Sequence, residues 1–423
     1  MYSIENNANK KIMKSIGFTL MALVIFCLGS NVPVPGINRN VLQYIFNGQN
    51  AGLFDLFNLF TGGSFQNFTI FALGVNPYIT ASIIIQLFTI AFPYFEALSQ
   101  EGEPGQKKMN KITRYLTVVL AFIQSIGLVF GLFRSAVTDR SALNIAVIMI
   151  TLISGTCFLM WLGDKIQEHG VGNGMSILIF AGIVCRVPTD VADIITKTKS
   201  GQMNYVADAL LVLAILIIVV GIIFIQQGVR KIPIQYAQRF GNGGPALLDK
   251  SHLPIKVNTA GVIPIIFAMT ILQVPLTVAY FIPKSKYAEA IIKYVSPSGS
   301  PGIWIYMAIN VLLIIAFTYF YTDVVFKYKD IAKNLGQSGG MIPSIRQGTD
   351  TEEYLKMVSH RLCFISAIFL AVVAMLPTIA GQFANINMSF GGTSILIMIG
   401  VSLETIQQIR DRIAMNRIPG FLN

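Results

Sequence analysis

The chain has 423 residues, 54% of them apolar and only 12% charged, with a net charge of +11. Soluble globular domains are about 25% charged, so the composition excludes one and implies a polytopic membrane protein. Ten long apolar segments run over residues 16–32, 75–92, 115–133, 143–162, 174–195, 205–227, 260–282, 303–326, 361–381 and 391–409. An even number puts the two termini on one side of the bilayer. Basic residues accumulate in cytoplasmic segments, and with the N-terminus inside, 22 of the 31 lysines and arginines fall there. The excess charge fixes topology and attracts anionic lipid.

Residues 10–29 have the basic start, apolar core and small residues of a secretory signal, but nine further spans follow, so the segment is expected to stay as the first span. Pro33, Val34, Pro35 and Gly36 then make a rigid turn to the outside. Residues 53–60 read as a helix that Gly62 and Gly63 end after about ten residues, where about 20 are needed to cross a bilayer. Non-helical backbone survives at membrane depth only inside protein or beside a watery cavity. A short helix followed by a full one therefore suggests a channel with something folded into it. The second span ends at Pro93, and residues 101–108 form a polar turn.

Gly170 to Gly174 joins spans four and five. No strand precedes it and no GK[ST] follows, which argues against a phosphate cradle and for a tight turn with positive φ. Two long basic loops, about 228–256 and 327–360, exceed the usual connections between packed helices. The second holds Arg346 between Pro343 and Gly348. The cysteines Cys27, Cys157, Cys185 and Cys363 all lie in apolar spans without a CxxC spacing, so they are expected to pack as small apolar side chains. Arg186, Asp208, Asp323 and Glu404 are read as lying near span ends, where snorkelling accounts for them.

The chain repeats itself. Gly74-Val75-Asn76-Pro77 leads to Ile79 and Gln86, and Gly261-Val262-Ile263-Pro264 leads to Ile266 and Gln273 in the same register. Gly174-Met175-Ser176-Ile177-Leu178-Ile179 likewise matches Gly392-Thr393-Ser394-Ile395-Leu396-Ile397, with Gly182 and Gly400 in step. Membrane repeats of this kind place their functional site between the halves.

These stretches, with Val32 to Gly36, Ile70 to Gln86, Phe158 to Gly163, Gly172 to Val184, His252 to Asn258 and Gly391 to Ser394, resemble the SecY family of bacterial protein-export channels. The resemblance runs from the first span to the last. It implies an all-α fold of ten transmembrane helices in two inverted halves, 1–195 and 196–423, around an hourglass pore that opens sideways between spans two, three, seven and eight. It assigns the pore constriction to Val75, Ile79, Met175, Ile179, Ile266 and Ile397. The plug is assigned to about residues 53–64, carried by Leu53, Phe54, Leu56, Phe57, Leu59, Phe60, Thr61, Gly62 and Gly63. The implied contacts for a motor or ribosome are Arg230, Lys231, Arg239, Lys250, Lys256 and Arg346.

Expected partners are SecE-like and SecG-like small membrane subunits, a SecA-like motor ATPase, the ribosome with its RNA, signal sequences, preproteins and lipid. No cofactor or catalytic residue is implied, and the expected location is the bacterial cytoplasmic membrane with the two termini inside. Cys27, Gln106 and Gln347 depart from residues common in the family, and Asn76 puts an amide beside the constriction. These departures leave a housekeeping channel and an accessory paralogue open. Inverted repeats also occur in secondary transporters of small solutes, the alternative function, which would want polar groups at the midplane where this chain has isoleucines. An intramembrane enzyme would need a paired acid, a metal motif or an activated nucleophile, and none is legible.

Overall fold

The computed structural model describes residues 2–38, 41–42, 61, 63–133, 135–199, 205–236, 251–281, 286, 290–291, 294, 302–384 and 392–417. Among them the chain is an all-α membrane architecture with one small sheet. Every one of the ten apolar segments falls on a helix: α1 Tyr2–Gly29, α2 Asn76–Ala91, α4 Glu103–Ile126, α5 Ala142–His169, α6 Gly174–Lys199, α7 Tyr205–Gln227, α8 Ile263–Phe281, α9 Gly302–Val325, α11 Thr349–Ala384 and α12 Gly392–Arg417. Two short helices, α3 Pro93–Gln100 and α10 Tyr328–Gln337, lie outside these segments. By length and hydropathy, five helices among the described residues are long and apolar enough to cross a membrane, and α2 with α3, bent by 100°, makes a sixth. The bend falls at Phe92, whose extended backbone precedes Pro93, as expected for a residue before proline.

The α4 helix does not end as an α-helix. Residues Gly127–Leu132 continue it as a π-helical turn, closed by the Phe133 N–H donating to the Leu128 carbonyl at 2.9 Å. Two glycines, Gly127 and Gly131, sit in this turn, where weak helix propensity lowers the cost of the wider winding.

Within the first long basic loop, β1 Val229–Tyr236 pairs antiparallel with β2 Ser251–Lys256, and β3 Gly340–Met341 of the second loop adds to the end of β1. Alternation explains the strand: Ile232 and Ile234 are buried while Lys231, Pro233 and Gln235 are exposed, the period of a half-buried strand. The buried side joins Ile255, Tyr328, Leu335, Ile342 and Leu355 in a core of its own. The sequence reading left both segments as loops.

The main core gathers side chains from α1, α2, α5, α6, α7, α8, α9, α11 and α12. A second core holds Phe65, Phe68, Val129, Phe133, Ile148 and Leu152. The cysteines require a correction. Cys27 of α1 and Cys185 of α6 form a disulfide with their Cα atoms 6.4 Å apart, while Cys157 and Cys363 are free. Helices α1 and α6 pack together, so residues separated by 158 positions meet without any spacing in the sequence to announce it.

Candidate functional site

The six residues assigned to the constriction are all buried: Val75, Ile79, Met175, Ile179, Ile266 and Ile397 range from 0% to 9% exposed. They belong to one core cluster although they come from four helices. Each lies at the start of its helix, close behind a glycine. Val75 caps α2 and Ile79 follows on its second turn; Met175 and Ile179 begin α6; Ile266 begins α8; Ile397 follows Gly392 on α12.

Local chemistry produces these helix starts. Gly74 and Gly261 have φ of 57° and 66°, a left-handed conformation that glycine adopts at no steric cost. Each is followed three residues later by a proline in the first helical turn, where the missing N–H is not needed. The two sequence repeats therefore fold alike. The α5–α6 turn uses Gly172 at φ 88°, as its sequence suggests. A Cβ on Gly174 would collide with the backbone carbonyl oxygen of Gly163, so α6 starts hard against α5. This turn is also held from outside, by Thr19 Oγ1 accepting from the Val171 N–H at 3.1 Å and by Arg412 donating to the Gly170 carbonyl at 2.9 Å.

Helix α2 packs against α8, and the π turn of α4 packs against α8 as well. These contacts join the first repeat to the second. Buried polar side chains also lie on these helices, Asn76 on α2, Thr270 and Gln273 on α8, and Thr393 and Ser394 on α12, and among the described residues no three His, Cys, Asp or Glu side chains gather to hold a metal. Of the plug assignment, Leu53, Phe54, Leu56, Phe57, Leu59, Phe60 and Gly62 lie outside the described residues. Thr61 is buried and accepts a hydrogen bond from the Phe65 N–H at 3.2 Å, and Gly63 has φ 82°.

The basic residues assigned to partner contact converge on the small sheet. Lys231 and Lys256 share its outer face, because Val229 pairs with Lys256 and Lys231 with Pro254 and side chains alternate along a strand. Arg230 is exposed at the strand end. Lys256 also donates to Gln407 of α12 at 3.0 Å. Arg346 is exposed on the tip that follows β3. That tip is anchored: Ile342 is buried in the sheet's core with Ile345 against it, Gln347 donates to the Gly340 carbonyl at 3.1 Å, and the Arg346 carbonyl accepts from Thr351 at 2.7 Å. Arg239 and Lys250 lie outside the described residues. Sequence reasoning missed the contact at the base of this platform, where His360 Nε2 lies 2.7 Å from Asp323 Oδ1 and the Tyr328 hydroxyl donates to the same carboxylate at 3.2 Å. Asp323 is thus a tie between α9 and α11, and only the adjacency of those helices reveals it.

Comparison with known proteins decides the family. The sequence profile described as SecY matches residues 69–406. The chain belongs to the SecY family. Protein translocase subunit SecY of Bacillus subtilis is 43% identical over 423 residues, covering 97% of this chain and 96% of that protein, and that of Staphylococcus carnosus is 41% identical over 428 residues, covering 97% of each. Among solved structures, a SecY protein studied for a plug domain that stabilises its closed state superposes with a TM-score of 0.68 at 17% identity, covering 97% of this chain and 95% of the other. The likeness to that structure is one of fold, and the SecY-family fold is what the helices above describe.

Proposed function

We propose that this chain is the channel-forming subunit of a protein translocase, letting unfolded secretory polypeptides cross a membrane and releasing apolar segments sideways into lipid. The observation that carries the reading is the single buried cluster to which four helix starts bring Val75, Ile79, Met175, Ile179, Ile266 and Ile397 in a chain of the SecY family. Such side chains offer ions and water no hydrogen bonds, so they seal by dewetting and yield to a passing polypeptide. The halves 1–195 and 196–423 are the two bodies between which the path runs, and about residues 53–64 are its plug, as in the relative whose plug domain is described as stabilising the closed state.

The sheet with Arg230, Lys231, Lys256 and Arg346 is the docking platform for a SecA-like motor or a ribosome, on the cytoplasmic side of the bacterial cell membrane where the two termini also lie. Arg239 and Lys250 belong to the same loop and the same role. Small SecE-like and SecG-like subunits accompany the chain, signal sequences and preproteins are its clients, and the chemical energy comes from the motor rather than from a site on this chain. The test is reconstitution of the complex in liposomes with motor, ATP and a labelled preprotein. ATP-dependent protection of the preprotein from external protease supports the reading; uptake of small solutes without any protected preprotein refutes it.

A further inference from the structure

The small sheet is fastened to the helices at its inner end. Lys256 closes β2, and only residues 257–262 separate it from Ile263, the first residue of α8. That connection is bonded along its length. The Val257 N–H donates to the Gly228 carbonyl, just ahead of β1, at 2.8 Å. Thr259 Oγ1 donates to the Lys256 carbonyl at 3.0 Å, and the buried Asn258 side chain donates to the Gly261 carbonyl at 3.0 Å. The Val262 carbonyl then accepts from the N–H groups of Ile265 and Ile266 at 3.2 and 3.4 Å. A short turn bonded in this way has little room for local opening, so the end of β2 and the first turn of α8 move together.

Helix α12 meets this junction at two points. At the first, a Cβ on Gly400 would come within 2.9 Å of Val262 Cγ2 and 3.1 Å of Gln226 Nε2, so the bare glycine seats α12 directly on Val262. At the second, Lys256 Nζ donates to Gln407 Oε1 at 3.0 Å, and the same ammonium lies within electrostatic reach of Glu404. Ile397, Gly400, Glu404 and Gln407 follow one another at intervals of three, four and three residues, so they share one face of α12. Ile397 is therefore one turn beyond the Gly400 contact on α12, and Ile266 one turn beyond the Val262 contact on α8.

We propose that Lys256, with Gln407 and Glu404 as its acceptors, is a positioning residue that couples the sheet to the constriction. Contact at Gly400 alone would leave α12 free to pivot about Val262. The tie at Gln407, two helical turns and about 10 Å further along, removes that freedom. A partner that displaces the sheet then carries Ile266 and Ile397 with it instead of bending the sheet away from the helices. Lys256 acts here through α12 rather than on the partner, and its loss leaves the resting constriction intact. The proposal rests on the channel reading above.

The test measures translocation into liposomes at rising concentrations of a SecA-like motor, which yields a maximal rate and a half-saturating motor concentration. Glu404→Gln/Gln407→Leu removes the acceptors from α12 and alters none of the residues assigned to docking. It is expected to lower the maximal rate about fivefold, within the range that one exposed hydrogen bond supplies. The half-saturating concentration, resting ion conductance and melting temperature should stay at parent values. Lys256→Met should lower the maximal rate equally, and the triple variant no further, because each change breaks the same tie. Gln407→Glu, which keeps an acceptor for the ammonium, should retain the parent rate. A parent maximal rate in Glu404→Gln/Gln407→Leu, a loss confined to the half-saturating concentration, or a triple variant whose loss is the product of the two overturns the coupling. So does a Gln407→Glu channel as slow as the leucine variant. If the parent complex protects preprotein and the α12 variant matches it, only the coupling has failed. If the parent itself protects none with motor and ATP, the channel reading has failed and the coupling falls with it.

Discussion

Replacing Ile79 or Ile266 with asparagine tests the seal most directly. These side chains are 7% and 9% exposed, so each is almost wholly out of water. An amide placed there without partners costs roughly 2–7 kcal/mol, and the lost isoleucine burial adds about 1.5–3 kcal/mol. Water entering the constriction removes most of the first cost, so the wetted state gains at least about 2 kcal/mol on the dry one. With every 1.4 kcal/mol worth about tenfold in population, resting ion conductance should rise roughly 30-fold. The assay is conductance of the purified complex in planar bilayers without client. Ile222 is the control: it is 0% exposed and lies in the same cluster on α7, but is not one of the six. Ile222→Asn should lower the melting temperature without a comparable leak. Ile79→Asn and Ile266→Asn channels as tight as the parent, or an Ile222→Asn channel that leaks as much, would refute the reasoning.

Arg346→Glu should slow motor-driven translocation by at least tenfold while leaving membrane insertion intact, since removing one partner of a desolvated charge contact costs roughly 2–5 kcal/mol; Arg346→Lys should be impaired as well, because lysine cannot make the bidentate contact, and normal rates in the glutamate variant would take Arg346 out of the interface. Gly155→Ala should lower the melting temperature markedly, because its Cβ would strike the Ile70 carbonyl and overpacking costs about 1–3 kcal/mol. Gly17→Ala, with nothing within 4 Å of the added carbon, should be neutral or slightly stabilising, and equal losses at the two positions would deny the close approach of α5 to the 68–74 turn. Topology is checked with single cysteines in place of Lys107, the exposed Ser338 just before β3, and Asn387 on a background without the native thiols: the first two should react only with reagent on the cytoplasmic side and the third from outside, and the reverse pattern would overturn the orientation.

The ten apolar segments were legible because a bilayer demands long uninterrupted apolar runs, and a helix covers each of them. Three helices start well before their apolar runs, α1 at Tyr2, α4 at Glu103 and α11 at Thr349; at α11 an amphipathic stretch packing against α10 continues the helix beyond the apolar run. Such an extension is set by tertiary contact, which hydropathy does not register. The sheet was hidden for a related reason. Its alternation covers only Ile232, Ile234 and Ile255, and its partner strands come from different loops, so β1 became a strand only once β2 and β3 were beside it. Asp323 was visible as a charge near a span end, but His360 as its partner was not.

The glycines carried more information than the apolar residues did. An isoleucine in a membrane helix is compatible with core, lipid or pore, so Ile79, Ile179, Ile266 and Ile397 said little individually. Gly74 and Gly261 constrain the backbone instead, since a left-handed residue three positions ahead of a proline fixes where the helix begins and which side chains occupy its first turns. Matching those glycines between the repeats located equivalent helix starts, and the resemblance to the family, rather than register alone, singled out the isoleucines on them. The same logic fails at Phe68, where the chain uses a left-handed conformation without the residue that normally signals it. A backbone departure paid for by ring packing leaves no mark in the sequence. It is visible only as the conjunction of φ 45° with full burial.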